Sequence, residues 1–253
     1  MAKLTFPEGF LWGAATSAHQ VEGGNRNDWS EWEKERSDWL VGRARTRWEK
    51  WQQERFPEMF SVENYISGGA ADHYNRYEED FDIAKSLGHN THRFSVEWSR
   101  VEPEEGKWNE EAIEHYRKVI RALRKRGMEP MITLWHYTNP SWIFDHGGWE
   151  GRKTVDLFVR YTEKIAEAFR EEGVSLWVTL NEPGMYIATA YVNGDRPPNV
   201  KSLGRANKAF KNLMAAHREA YQAIHRIQPK VRVGMPHFTV AMTPYGNYPW
   251  NRF

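Results

Sequence analysis

Glu182 sits in the run Thr179-Leu180-Asn181-Glu182-Pro183, where an apolar segment gives way to an amide, a carboxyl and a ring that cannot donate to a strand ladder. A carboxyl placed there can give or take a proton in a cleft, or it can simply cap the helix that the proline opens. Comparable chemistry ends three other apolar runs. Thr91-His92-Arg93-Phe94-Ser95-Val96 carries Arg93, a guanidinium that is costly to bury without an anionic partner and therefore needs a carboxylate. Thr133-Leu134-Trp135 leads into His136 and Tyr137, an imidazole beside an aromatic face. Ala14-Ala15-Thr16-Ser17-Ala18-His19-Gln20 supplies Gln20, whose amide can donate to one hydroxyl and accept from another. Two amides, an imidazole, a guanidinium and a carboxyl on one rim suit a polyol substrate.

Such a rim requires elements that bring strand ends together. From Asn109, apolar residues fall at Ile113, Tyr116, Ile120 and Leu123, with Gly127 as a stop, and the strand Glu129 to Trp135 follows. Val155, Phe158, Thr162, Ile165 and Phe169 repeat the helical period, end by Gly173 and hand over to Leu176–Leu180. A third copy runs from Leu203 to Ile224, stops before Pro229 and leads to Val231–Pro236. Upstream, a shorter helix from Tyr77 to Leu87 precedes Thr91–Val96, and Phe10–Ala15 makes a fifth strand. This alternation predicts α/β architecture with parallel strands and outer helices, as a barrel or an open sheet. The absence of a Gly-x-Gly-x-x-Gly or Walker-type loop weighs against nucleotide-binding open sheets.

The stretch from Asp28 to Tyr65 interrupts the rhythm with Trp29, Trp32, Trp39, Trp48 and Trp51 among dense charges. It is expected to be a long, partly helical loop after the first strand, spanning about 28–67. Its basic residues Arg43, Arg45, Arg47 and Lys50 interleave with Glu33, Glu35, Glu49 and Glu54, the pattern of a solvated amphipathic helix. With 35 Lys+Arg against 34 Asp+Glu, no global field attracts nucleic acid or an anionic membrane. There is no cysteine, so disulfides and thiolate sites are excluded, and no apolar run reaches the length of a signal peptide or membrane span. The expected setting is cytoplasmic. Thirteen tryptophans fit an aromatic carbohydrate cleft as well as a rich core. His89 and His92 run from a helix end into a strand and share no ligand face, and His-Glu-x-x-His is absent, so no metal is expected.

The four strand-end motifs, together with Ala71-Asp72-His73-Tyr74-Asn75-Arg76-Tyr77-Glu78-Glu79-Asp80, resemble those of the glycoside hydrolase family 1 β-glycosidases, in order from Phe6 to Pro236. That resemblance implies a (β/α)8 TIM barrel, represented here by about its first five βα units, with residues 1–253 as a single partial barrel domain. It further implies a β-glycosidase without cofactor, acting on a small β-glycoside or oligosaccharide. Gln20 and His136 would bind sugar hydroxyls, Asn181 the 2-hydroxyl and Tyr137 the subsite wall. Glu182 would be the acid/base, and Arg93 would orient the nucleophile carboxylate. His19 stands where the family often has Tyr, and Arg196-Pro197-Pro198-Asn199 is similar to the family's Pro-Pro-Gly loop with its glycine altered.

Retaining hydrolysis needs two carboxyl groups about 5 to 5.5 Å apart. The family supplies the nucleophile from a Glu-Asn-Gly-type segment after its seventh strand, and none is found. Ser61-Val62-Glu63-Asn64-Tyr65 falls in the long first loop instead of at a strand end. The expectation is a truncated or split β-glycosidase, with a complementary chain supplying strands six to eight. The alternative is a carbohydrate-binding or interaction protein derived from the same barrel.

Overall fold

The computed structural model describes residues 5–240 and Gly246, so the first four residues of the segment read for a leader lie outside the described residues. Its frame is one parallel sheet of β1 (Gly13–Ala15), β2 (Thr91–Ser95), β3 (Glu129–Trp135), β4 (Leu176–Leu180) and β5 (Arg232–Gly234), in the order 1-2-3-4-5. In chain order the helices are α1 (Ala18–Val21), α2 (Asp28–Arg47), α3 (Lys50–Arg55), α4 (His73–Ser86) and α5 (Trp98–Val101). They continue with α6 (Glu110–Lys125), α7 (Lys153–Ala168), α8 (Pro183–Tyr186) and α9 (Leu203–Ile227). A strand order that never reverses distinguishes the start of a barrel from a doubly wound sheet, whose order reverses at a switch point. Residue spacing alone could not make that choice.

Local chemistry sets the helix ends. The Asn109 side chain accepts the Ala112 N–H at 3.0 Å, Glu110 and Glu111 occupy the first turn of α6, and Arg124 and Lys125 occupy the last, each matching the helix dipole. Asn27 and Ser30 close a reciprocal capping box on α2. The buried residues of α6, Ile113, Tyr116, Ile120 and Leu123, repeat at helical spacing and join Phe94, Ile132 and Leu134 of the strands in one core. Val155, Phe158, Tyr161 and Ile165 of α7 extend that core to the alanine-rich face of α9. Burying one such aliphatic side chain contributes roughly 1.5–3 kcal/mol, so the helices are held chiefly by this face.

Two strands are shorter than expected. Phe10–Trp12 does not join the ladder: Asn90 takes over, its amide accepting the Trp12 N–H at 2.7 Å and donating to the Phe10 carbonyl at 2.9 Å. At the other end, only Arg232–Gly234 of the expected Val231–Pro236 pairs with β4. The 28–67 stretch contains α2, α3 and two short 3-10 turns, Pro57–Phe60 and Val62–Tyr65. Glu33 departs from the expected solvated face of α2. It turns inward, and its carboxylate accepts from the backbone N–H and hydroxyl of Ser67 and pairs with His19 at 2.9 Å.

Candidate active site

Glu182 stands two residues past the end of β4, after Asn181, and occupies the left-handed backbone region, at φ 40°. For a residue with a Cβ that conformation costs about 1–3 kcal/mol and persists only where its surroundings enforce it. Here the Glu182 N–H donates to the Pro236 carbonyl at 3.2 Å, and Pro183 begins α8. Although Glu182 is the N-cap residue of α8, its side chain makes no capping bond. Its Oε2 accepts the Tyr137 hydroxyl at 3.0 Å instead, so the carboxyl is directed across the strand ends. Burial first, and Glu182 second, raise the Tyr137 pKa well above the ordinary phenol value.

Tyr137 is also left-handed, at φ 78°, and the residues after it show what holds it. Asp28 accepts the Asn139 N–H at 2.7 Å and the Asn139 amide at 2.8 Å, while Glu97 accepts the Thr138 hydroxyl at 2.9 Å. Both carboxylates are buried, and burial pushes Asp28 up to about 7 against the lowering effect of Asn139. Two acids beneath the rim thus fix the chain on the C-terminal side of Tyr137. Glu97 does this work from beneath, fully buried.

Arg93 projects from β2, donating from Nε to the Thr133 hydroxyl at 2.8 Å and from Nη2 to Asn181 Oδ1 at 2.6 Å. Burial lowers its pKa, and the charge of Glu182 opposes that shift. Among the described residues no acidic side chain pairs with Arg93. Asn181 is buried, and its N–H donates to the Trp135 carbonyl, continuing the β3–β4 ladder by one step. The same residue therefore links Arg93 to the strand that carries Glu182.

His136 and Gln20 border a small cavity of about 50 Å³, together with Tyr137 and Trp29. Gln20 is exposed, and its Oε1 accepts from the Ser17 hydroxyl at 2.8 Å, which leaves the amide nitrogen toward solvent. His136 Nδ1 is buried with no hydrogen-bond partner, and burial, helped by Arg93, lowers the imidazole pKa to about 4. A neutral ring with an unsatisfied nitrogen is suited to a ligand hydroxyl. Arg93 belongs to a different opening, of about 360 Å³, which it shares with Met131, Val178 and Val233 on the inner face of the sheet. Glu63, in the rejected Glu-Asn string, is exposed in the turn Val62–Tyr65, with Ser61 as its partner.

The sequence profile described as glycosyl hydrolase family 1 matches residues 2–252. The chain belongs to that family. Among its relatives, β-glucosidase A of Acetivibrio thermocellus is 33% identical over 240 residues, covering 93% of this chain and 49% of the relative. A β-glycosidase structure from Pyrococcus horikoshii is 38% identical, with a TM-score of 0.76, covering 91% of this chain and 48% of that one. A family 1 β-glucosidase structure from Thermotoga maritima in complex with deoxynojirimycin is 29% identical, with a TM-score of 0.78, covering 91% and 49%. The chain thus spans about half the length of the family members it matches. Its five-stranded parallel sheet is the corresponding part of a (β/α)8 barrel.

Trp29, read in the sequence only as one of the first loop's tryptophans and not as a site residue, stacks nearly parallel to Tyr137, with 6.5 Å between ring centroids and 15° between planes. His19 is buried, its Nε2 bonded to Glu33, and the surrounding carboxylates raise its pKa in spite of burial. The tryptophan density of the first loop was the one signal for Trp29. Nothing in the spacing linked His19 to Glu33.

Proposed function

We propose that this family 1 chain provides the acid/base side of a retaining β-glycosidase site, as one partial barrel domain. The observation that carries this reading is the arrangement of Arg93 and Glu182. A half-buried guanidinium is left with neutral acceptors, close enough to the Glu182 carboxyl to feel its charge. Glu182 would protonate the leaving oxygen, and then draw a proton from the water that releases the sugar. Arg93, steadied by Thr133 and Asn181, would hold a nucleophile carboxylate ionised. Gln20, neutral His136 and Asn181 would take sugar hydroxyls, with Tyr137 as a wall.

In this reading the nucleophile comes from outside the five described strands, on a complementary chain or segment that closes the barrel. Half-length coverage of the family's members supports this. A cysteine-free sequence also suits a cytoplasmic setting. Among the described residues, no helix is long and apolar enough to cross a membrane.

Hydrolysis of 4-nitrophenyl β-D-glucoside, followed with and without a polypeptide bearing the remaining strands, tests the proposal. The expected outcome is no turnover by the chain alone, and turnover on complementation that falls about 10²–10⁴-fold in Glu182→Gln. Ordinary turnover by the chain alone, lost in Glu182→Gln, would refute the need for a second part. Calorimetric binding of glucose with no turnover after complementation would instead favour a carbohydrate-binding protein.

A further inference from the structure

Outside the rim, α2 and the loop 194–199 enclose a second pocket of about 280 Å³, enough for one ring-sized group. Trp29 lines both this pocket and the small cavity of Gln20 and His136, so the two adjoin across a single indole. The route from Glu182 runs past Tyr137, which it bonds, and over Trp29, which Tyr137 stacks on. A leaving group protonated by Glu182 would travel that way.

The charges on the pocket are unbalanced. Arg43 and Arg47 reach it from α2, and Arg196 comes from the 194–199 loop, its Cζ 5.7 Å from the Trp29 ring centroid. Among the described residues none of these three guanidinium groups pairs with a carboxylate. Glu33 also lines the pocket, but its oxygens are committed to His19 and Ser67. Asp195 supplies one further carboxylate, whose Oδ1 is buried and lacks a partner. Three cations, of which Arg196 lies over Trp29 and Arg43 over Trp39 outside the lining, together with one isolated acceptor and the indoles of Trp29 and Trp48, match a ligand that has a carboxylate, a flat apolar face and a hydroxyl.

We propose that this pocket is a leaving-group subsite for carboxylate-bearing aglycones, either a hydroxylated aryl carboxylate or a uronate. The carboxylate lies among Arg43, Arg47 and Arg196, the flat face lies on Trp29 or Trp48, and a hydroxyl donates to Asp195. The assignment of the aglycone rests on the glycosidase reading, whereas occupation of the pocket does not.

The test is binding to the purified chain, read by tryptophan fluorescence with 4-hydroxybenzoate and with methyl β-D-glucuronide, each beside its uncharged methyl ester. At least one acid is expected to bind about tenfold or more tightly than its ester, the preference falling about tenfold in Arg43→Gln and in Arg196→Gln and weakening with salt. Arg45→Gln, an exposed neighbour on α2 outside the pocket, is expected to leave binding unchanged. Thermal melting of each variant confirms that it is folded. Aryl preference and uronate preference identify the source of the carboxylate. Equal binding of acid and ester for both pairs, no binding of either acid, or equal losses in Arg45→Gln would overturn the proposal. Deoxynojirimycin, titrated in parallel against the chain supplied with the remaining strands, reports on the completed sugar site. Acid binding without deoxynojirimycin binding would leave the pocket standing and count against the glycosidase reading.

Discussion

His136 combines burial, an orphaned Nδ1 and a neighbouring guanidinium, and all three oppose a proton on its ring. Its folded-state pKa, about 4, lies below the ordinary imidazole value of 6.5. An unfolded chain therefore takes up a proton that the folded one refuses as pH falls from 6.5 toward 4. The sign is fixed: this stability is fully present above pH 6.5 and is lost on acidification through that window. Nuclear magnetic resonance titration of the His136 ring should show a neutral imidazole at pH 6 and a midpoint near 4, whereas a midpoint near 6.5 would show that the ring is not desolvated. At this scale the sequence was informative wherever a polar candidate side chain lay in or just after a strand. Glu182, Arg93 and Asn181 were legible because an acid, a base and an amide in apolar runs demand an explanation. Trp29 and the His19–Glu33 pair were not, because they depend on how a 40-residue excursion folds back. Asn199 falls between these cases. It stands where the family's loop has glycine, and it adopts φ 59°, a left-handed conformation that asparagine tolerates better than most residues.

Among the elements, α6 is defined most sharply by local chemistry, since one side chain, Asn109, satisfies an orphan N–H at its start. Asn109→Ala should lower stability by about 1 kcal/mol, read as a reduced midpoint in urea at unchanged slope. A shift below a few tenths of that would mean that the packed face alone defines the helix end. Helices were read from the sequence to within a few residues because period and caps lie close together in the chain. Strand ends were read less well. Apolar content placed Phe10, Leu11 and Trp12 in β1, but the length of that strand is set by Asn90, almost eighty residues away. Likewise the basic cluster of α2 looked solvated from its alternating charges. Its Arg43 and Arg47 face a pocket whose other wall, at Arg196, could not be assigned from local spacing.

For the whole molecule, periodicity alone left barrel and open sheet undecided, because strand order is a property of long-range pairing; the resemblance of the strand-end motifs to family 1 was what pointed to the barrel. Among the described residues β1 pairs with β2 alone and β5 with β4 alone, and the inner face around Arg93, Met131 and Val233 is open. Phe6, Phe10 and Trp12 cluster in tilted and edge-to-face contacts beside β1 while 61%, 41% and 48% exposed. Unpaired parallel edges beside exposed aromatics favour association. Sedimentation velocity should therefore show species that grow with protein concentration and collapse to one defined particle when the complementary strands are added. A monodisperse monomer at high concentration would contradict this.

The single direction of the five strands also restricts how copies can meet. A two-fold axis normal to the sheet joins an edge to its own image, which sets the strands antiparallel and mismatches a sheet built to continue in parallel. The contact that preserves direction joins β5 of one copy to β1 of the next, a head-to-tail relation that leaves a fresh edge at each end. Such a contact has no reason to close at two copies. If the polypeptide carried these five strands and no more, open-ended, fibre-like growth would be its characteristic failure.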